Sequence, residues 1–208
     1  MHQYDHEPKK IVVCGKSGFG KTIFCYRFLR AAKYDCFFIF DHDGQFAFRN
    51  GIRDVAFSDE ALETHWKRRY VIFNPSEMFP GRTAVAFEYF CEWAYHKSGT
   101  VPGKKLLFAD ENQKYTDTKN ISPAFSTNIE TGRHVGLDLL LATLAFNRIH
   151  NAVHGQATEW VTFQITTERQ LKPLLEIGFD KEEVINLPKF HYVGRTDRGE
   201  FYKGTVSP

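Results

Sequence analysis

The sequence predicts a three-layer α/β fold with a mostly parallel central sheet, on three observations. Short apolar runs alternate with helical patterns along the chain, an alternation typical of parallel strands joined by helices. The runs at 105–110 and 136–145 are almost wholly apolar, as central strands are when helices cover both of their faces. A glycine-rich loop also separates the first apolar run from the first helical pattern. Helices on both faces of one sheet give the three layers.

Apolar patterns in the first half of the chain predict strands around one helix. Residues 10–14 (KIVVC) form a continuous apolar run, which predicts a buried strand leading into the glycine loop. Residues 21–33 (KTIFCYRFLRAAK) place apolar side chains at helical spacing, so they predict an amphipathic helix. The runs 36–40 (CFFIF) and 70–74 (YVIFN) are short and rich in aromatic and β-branched residues, and they predict further strands.

The second half of the chain continues this alternation. Residues 82–97 (RTAVAFEYFCEWAYHK) have helical periodicity with aromatic anchors. The runs 105–110 (KLLFAD) and 136–145 (GLDLLLATLA) predict central strands, and 160–166 (WVTFQIT) predicts the last strong one. Residues 190–204 are expected to form a hairpin around the sequence TDRG, because Asp and Gly are favoured turn residues.

The composition indicates one globular domain over residues 1–208, with residues 1–9 as a short polar leader. Apolar residues make up 42% of the 208 positions and charged residues 25%, as in ordinary globular proteins. The formal charge is only +2, from 27 basic and 25 acidic residues, so any DNA contact must come from local patches or from one patch repeated around an oligomer. Without a signal peptide or a long apolar run, we expect an intracellular protein that does not insert into membranes.

The glycine-rich loop matches the phosphate-binding pattern GxxxxGK[ST] over residues 15–22 (GKSGFGKT). Its glycines let successive backbone N–H groups face an anion, and the helix that follows adds the positive end of its dipole. Lys21 is expected to reach the β- and γ-phosphates of ATP, and the Thr22 hydroxyl to bind Mg²⁺. The nucleotide-binding residues predicted here are Gly15, Lys16, Ser17, Gly18, Phe19, Gly20, Lys21 and Thr22.

An acidic pair follows the apolar strand predicted at 105–110. A carboxylate at this strand end, Asp110, can organise Mg²⁺ beside the triphosphate. The next residue, Glu111, can polarise a water molecule against the γ-phosphate, which suits hydrolysis better than transfer to a bound acceptor. Together with the phosphate loop, the pair predicts a RecA-like P-loop NTPase of the additional-strand, catalytic-glutamate type.

Four other stretches carry a family resemblance. Arg133 opens an R-x-x-G pattern before an apolar strand, and residues 163–167 (FQITT) form a second strand-like pattern. Residues 39–46 (IFDHDGQF) look like a strand that ends in Asp-Pro-His-Gly, and residues 187–201 (LPKFHYVGRTDRGEF) look like a closing Leu-Pro segment and hairpin. With the phosphate loop and the acidic pair, these stretches resemble the FtsK–HerA superfamily of DNA-pumping ATPases over nearly the whole chain. The compact sequence looks most like the genome-packaging ATPases of tailless icosahedral, membrane-containing DNA viruses.

The resemblance implies roles for residues around the 136–145 strand. Arg133 is the expected arginine finger, which would complete a neighbouring subunit's site and so implies a homo-oligomeric ring, most simply a hexamer. Arg148 is the reserve candidate. The family commonly has a Gln sensor after the strand's Thr, whereas this chain has Thr143 followed by Leu144. Leucine cannot hydrogen-bond water or phosphate, so either Thr143 is the sensor or nucleotide state is coupled to motion in another way.

No motif for reading a base sequence is found, as expected of a motor that contacts the DNA backbone. Two short basic and aromatic stretches, 65–70 (HWKRRY) and 112–120 (NQKYTDTKN), are candidates for such contacts. Lys114 and Lys119 are the DNA contacts predicted here, because they follow the acidic pair and a ring would repeat them. A solvated loop is the alternative for either stretch.

The function predicted from the sequence is Mg²⁺-dependent ATP hydrolysis that moves double-stranded DNA into a viral capsid. Expected partners are DNA and capsid vertex proteins, with the protein in the host cytoplasm or at a capsid vertex. Three alternatives stay open: a small nucleotide or metabolite kinase, a nucleotide-gated assembly factor that does not pump, and a bacterial DNA-translocating relative. The kinase would need an arginine-bearing lid, and the sequence contains no insertion of that kind.

Overall fold

A computed structural model describes residues 7–116, 118–144 and 146–207. The strands are β1 (Lys10–Cys14), β2 (Cys36–Phe40), β3 (Tyr70–Phe73), β4 (Lys105–Ala109), β5 (Leu137–Thr143), β6 (Glu159–Thr162), β7 (His191–Thr196) and β8 (Phe201–Thr205). The α-helices are α1 (Lys21–Ala31), α2 (Gln45–Asn50), α3 (Asp59–His65), α4 (Thr83–Thr100), α5 (Pro123–Thr131), α6 (Asn151–Gln156), α7 (Glu168–Glu176) and α8 (Lys181–Ile185). Most of the predicted leader lies outside the described residues.

The eight strands form one sheet in the order β3-β2-β4-β5-β1-β6-β7-β8. The pairs β2–β3, β2–β4 and β1–β6 are parallel, whereas β7 pairs antiparallel with both β6 and β8. In this order β5 stands between the strand that precedes the phosphate loop and the strand that precedes the acidic pair. That is the additional strand predicted from the sequence, and the mostly parallel sheet is confirmed.

The central strands are covered on both faces. Every residue of β1, β2, β4 and β5 is buried. Because successive side chains of a strand point to opposite faces, burial at every position requires cover on both sides. The three-layer α/β fold class is therefore confirmed.

Contacts divide the chain into two compact groups, which are described separately. The first group comprises the described parts of 1–8, 32–110 and 121–139, and the second comprises those of 9–31, 111–120 and 140–208. Phe40 and Phe87 anchor the core of the first group, with ring centroids 5.2 Å apart. In the second group Phe24 packs against Tyr192, with centroids 5.0 Å apart. The single-domain assignment from the sequence stays a prediction.

The observed elements differ from the predicted ones mainly at their ends. The helix predicted at 82–97 continues to Thr100. The strand predicted at 160–166 ends at Thr162. Beyond it, the Phe163 N–H donates to Cys14 O at 2.9 Å and the Gln164 carbonyl accepts from Lys16 N at 2.9 Å. The backbone beyond β6 therefore contacts the phosphate loop instead of extending the strand.

Several short helices were not predicted, and polar side chains hold their first turns. The Asp41 carboxylate accepts hydrogen bonds from the backbone N–H groups of Phe46 and Ala47, both at 2.9 Å. It thereby satisfies amides of the first turn of α2, as a capping side chain does. Ser58 and Ser122 cap α3 and α5 in the same way. None of the described helices has the length and apolarity needed to span a membrane.

Candidate nucleotide-binding site

The phosphate loop joins a buried strand to a helix, as the sequence predicted. Strand β1 ends at Cys14 and α1 begins at Lys21. The hydrogen bond from Lys16 N to Gln164 O, 2.9 Å long, fixes the start of the loop to the segment after β6. Lys16, Ser17 and Gly18 are exposed and lie just before the N-terminus of an 11-residue helix. A loop in this place attracts anions, because the positive end of the helix dipole points toward it.

Two glycines of the loop have both a special backbone conformation and a crowded neighbourhood. Gly15 has φ 139°, and a Cβ atom there would lie 2.7 Å from the Cβ of Phe163. Gly20 has φ 117°, and its Cβ would lie 2.7 Å from Cγ2 of Val206. Gly18 also has a positive φ, 77°, but faces open space. The close approach of Phe163 therefore makes Gly15 the most constrained position in the loop.

Lys21 lies inside the loop and not on its surface. Its side chain is buried, at 6% exposure, and its ammonium donates to the Lys16 carbonyl at 3.1 Å. A buried cation at a helix N-terminus is electrostatically unfavourable, and a bound anion would reverse that imbalance. Thr22, on the first turn of α1, is half-buried, so it retains some access to solvent.

Cys14, the residue before the loop, is a structural thiol. Burial raises its pKa to about 12, with a hydrogen bond to Thr162 and the positive charge of Lys21 acting in the opposite direction. The thiolate is the reactive form of cysteine, so Cys14 stays neutral at physiological pH. The chemistry of this site therefore rests on the loop and on oxygen-bearing side chains.

The acidic pair follows β4 directly, and its second member has an unusual backbone. Asp110 is half-buried and belongs to the first compact group. Glu111 belongs to the second group and has φ 52° and ψ 43°, a left-handed conformation. For a residue with a side chain this conformation costs about 1–2 kcal/mol, and such strain is often found at functional sites. The Glu111 carboxylate forms an ion pair with the Lys114 ammonium.

A glutamine that sequence reasoning missed contacts the predicted sensor. Gln113 Oε1 accepts a hydrogen bond from the Thr143 hydroxyl at 2.8 Å and another from the Leu144 N–H at 3.2 Å. Thr143 is completely buried. The only sequence signal was an amide side chain two residues after the acidic pair. The contact spans 30 residues of sequence, so no local pattern indicates it.

The remaining predicted residues are exposed. Arg133 lies in a 3₁₀ turn (Gly132–Val135) of the first group, and its side chain makes no hydrogen bond or ion pair within the described part of the chain. Arg148 and Lys119 are also exposed, both in the second group. Exposure is what a finger for a neighbouring subunit or a DNA contact requires. The roles of Asp110, Arg133 and the two lysines stay predictions.

Comparison with known proteins gives a structural likeness without a sequence match. No protein-family model matches the chain, and no match is found among curated proteins. The DNA-packaging ATPase B204 of Sulfolobus turreted icosahedral virus is 21% identical, with a TM-score of 0.74 over 98% of this chain and 100% of B204. The genome-packaging NTPase B204 of Sulfolobus turreted icosahedral virus 2, solved with ATP-γS, is 19% identical, with a TM-score of 0.75 over 97% of each chain.

The likeness extends to a protein of a different system. The pCW3 conjugation coupling protein TcpA, in its monomer form with ATP-γS, is 11% identical. Its TM-score is 0.62, over 96% of this chain and 60% of TcpA. The resemblance predicted from the sequence is thus confirmed for the fold: the chain has the three-layer α/β fold of P-loop NTPases, as the packaging NTPase B204 does.

Proposed function

We propose that this protein hydrolyses ATP with Mg²⁺ and uses the energy to move double-stranded DNA, most specifically a viral genome into its capsid. The observation that carries the proposal is the phosphate loop, whose exposed residues 16–18 lie just before the N-terminus of α1. Such loops bind the phosphates of nucleoside triphosphates. Two of the structural neighbours were solved with ATP-γS, which supports ATP as the nucleotide.

Each residue of the proposed site has one task. Backbone amides of residues 15–21 and the Lys21 ammonium bind the triphosphate, and they offset the charge that develops on the transferred phosphoryl group. The Glu111 carboxylate accepts a proton from the attacking water. For that task the Glu111 carboxylate must leave its ion pair with Lys114. Arg133 of a neighbouring subunit adds positive charge at the γ-phosphate.

The donor set fits Mg²⁺. Magnesium prefers hard oxygen ligands, typically one or two protein groups together with phosphate oxygens and water. The Thr22 hydroxyl and the Asp110 carboxylate are such ligands, and we assign the metal to them. When bound, Mg²⁺ neutralises phosphate charge and so favours attack by water.

The comparisons support DNA as the translocated polymer. B204 is a DNA-packaging ATPase, and TcpA is a conjugation coupling protein. This chain spans B204 from end to end, whereas it covers 60% of TcpA, so packaging is the better analogue. We assign sequence-independent backbone contacts to Lys114 and Lys119, repeated around a ring of six subunits. The ring would act at a capsid vertex in the host cytoplasm.

Steady-state ATP hydrolysis, with and without double-stranded DNA, tests the proposal. We expect turnover to rise with DNA and with protein concentration, because neighbouring subunits share each site. Lys21→Ala should abolish ATP binding or turnover, and Glu111→Gln should bind ATP but lose hydrolysis by about 100-fold or more. Matched controls are Lys33→Ala and Glu77→Gln, which remove exposed charges outside the site.

Three results would contradict the proposal. Normal hydrolysis by Glu111→Gln would remove the assignment of Glu111 as the base. Turnover that ignores both DNA and protein concentration would remove the motor and favour a kinase. Binding of ATP without any turnover would favour the assembly factor.

A further inference from the structure

We propose that Gln113 is a positioning residue for Glu111: its hydrogen bonds hold the loop that carries the proposed base against the end of β5. The inference deepens the proposed function and rests on it. Gln113 lies two residues after Glu111, and its carbonyl oxygen accepts hydrogen bonds from both Thr143 and Leu144. The loop that carries the proposed base is therefore bonded directly to the end of β5.

The segment around Gln113 is a compact turn that holds Glu111 at its start. Lys114 N donates to the Glu111 carbonyl at 2.8 Å, which closes the 3₁₀ turn Asn112–Lys114. Asn112 is fully buried, and the Thr116 hydroxyl donates to its Oδ1 at 3.0 Å. Glu111 and Gln113 therefore move as one unit. A displacement of Gln113 relative to β5 is a displacement of Glu111 as well.

The left-handed backbone of Glu111 must be stabilised by its surroundings, because a residue with a side chain disfavours it. The two hydrogen bonds of Gln113 supply part of that stabilisation from outside the turn. They use only the carbonyl oxygen as acceptor, so a carboxylate in the same place can accept both bonds. An isosteric side chain without an oxygen cannot.

Gln113 should affect hydrolysis and leave ATP binding unchanged. Binding depends on the loop amides and on Lys21, which the Gln113 bonds do not involve. Misplacement of a catalytic group by about 1 Å costs up to about 100-fold in rate. Loss of the acceptor therefore lowers kcat, whereas the affinity for ATP stays the same.

The experiment compares Gln113→Met, which keeps the length and removes the oxygen, with Gln113→Glu, which keeps it. We expect Gln113→Met to lower kcat by about 10- to 100-fold with the Kd for ATP-γS unchanged, and Gln113→Glu to retain most of the turnover. Thr143→Val and Thr143→Ser form a second pair. Valine removes the hydroxyl that donates to Gln113, so kcat should fall, whereas serine keeps the hydroxyl and should retain most of the turnover. Gln113→Met and Thr143→Val together should cost little more than Gln113→Met alone, as expected for two groups in one interaction.

Amide hydrogen exchange at Leu144 reports the contact without relying on activity. We expect faster exchange in Gln113→Met and unchanged exchange in Gln113→Glu. Faster exchange with unchanged kcat would make Gln113 a structural contact only and overturn the proposal, as would unchanged exchange in Gln113→Met. A fall in both kcat and ATP-γS affinity would also overturn it. Absence of turnover in the unsubstituted chain would instead refute the proposed function, and the positioning role with it.

Discussion

At the scale of single residues, the glycines of the phosphate loop are required for different physical reasons. Position 15 must be glycine because Phe163 occupies the space where a Cβ would lie. Gly18 needs only the freedom to adopt a positive φ, since its surroundings are open. The pattern GxxxxGK[ST] does not distinguish these two requirements. The structure does, and the difference can be measured.

Gly15→Ala is expected to damage the loop more than Gly18→Ala. Alanine at 15 combines an unfavourable φ with a Cβ only 2.7 Å from the Cβ of Phe163, so the free energy of unfolding should fall by about 2–4 kcal/mol. Alanine at 18 carries only the conformational cost, about 1–2 kcal/mol. Urea unfolding, with ATP-γS titration of each folded variant, checks both.

Equal losses of stability in Gly15→Ala and Gly18→Ala would contradict the close approach of Phe163 to Gly15. Gly155→Ala serves as a control, because the glycine sits in α6 and, beyond its chain neighbours and its own helix backbone, no atom of the described residues lies within 4 Å of a Cβ at that position. Alanine favours a helix over glycine by about 1 kcal/mol, so that variant should be as stable as the unsubstituted chain or slightly more so.

At the scale of elements, the sequence predicts the buried strands better than the short helices. β1 and β2 are found at the predicted residues. A short uninterrupted apolar run is buried on both faces in a globular protein, and a central strand of a covered sheet provides that burial. α2 and α8 contain six and five residues, too few for an amphipathic period to be recognised. Tertiary hydrogen bonds such as those of Gln113 cannot be predicted from a local sequence pattern either, because only folding brings the residues together.

Strand β4 begins with a buried lysine, and this predicts a pH dependence of stability. Lys105 is fully buried, and its ammonium donates to the Val101 and Gly103 carbonyls at 2.8 and 2.9 Å. Burial lowers its pKa from 10.5 to about 8, against the opposing effects of Cys36 and Asp35. Between these two pH values the unfolded chain binds more protons than the folded one, so the stability contributed by this group rises with pH.

Replacement of Lys105 by Met should remove that rise. We expect the difference in unfolding free energy between the unsubstituted chain and Lys105→Met to shift in favour of the unsubstituted chain between pH 7.5 and 9.5. Lys104→Met is the matched control, because Lys104 is the exposed neighbour. A difference that does not change with pH for either variant would show that Lys105 titrates normally. Urea unfolding at a series of pH values makes the measurement.

At the scale of the whole molecule, an exposed arginine and a near-neutral chain together favour a shared site. The net charge of +2 gives one subunit little attraction for DNA, whereas a ring repeats each lysine around one axis. Arg133 is exposed in its 3₁₀ turn, so its guanidinium is available to another subunit. An arginine finger supplied in trans is worth about 10³–10⁵ in kcat in other phosphoryl-transfer enzymes.

Mixing two inactive variants tests the shared site directly. Arg133→Ala retains an intact phosphate loop but offers no finger, whereas Lys21→Ala retains the finger but not the loop. If the finger acts in trans, interfaces that pair an intact loop with an intact Arg133 regain turnover, so mixtures should be more active than either variant alone. Random mixing at equal amounts makes about one interface in four competent, since closed rings use one kind of interface. The same experiment with Arg148→Ala and Lys21→Ala tests Arg148, the reserve candidate for the arginine finger. Failure to regain turnover at any ratio, in mixed oligomers verified by mass, would count against a finger that acts in trans.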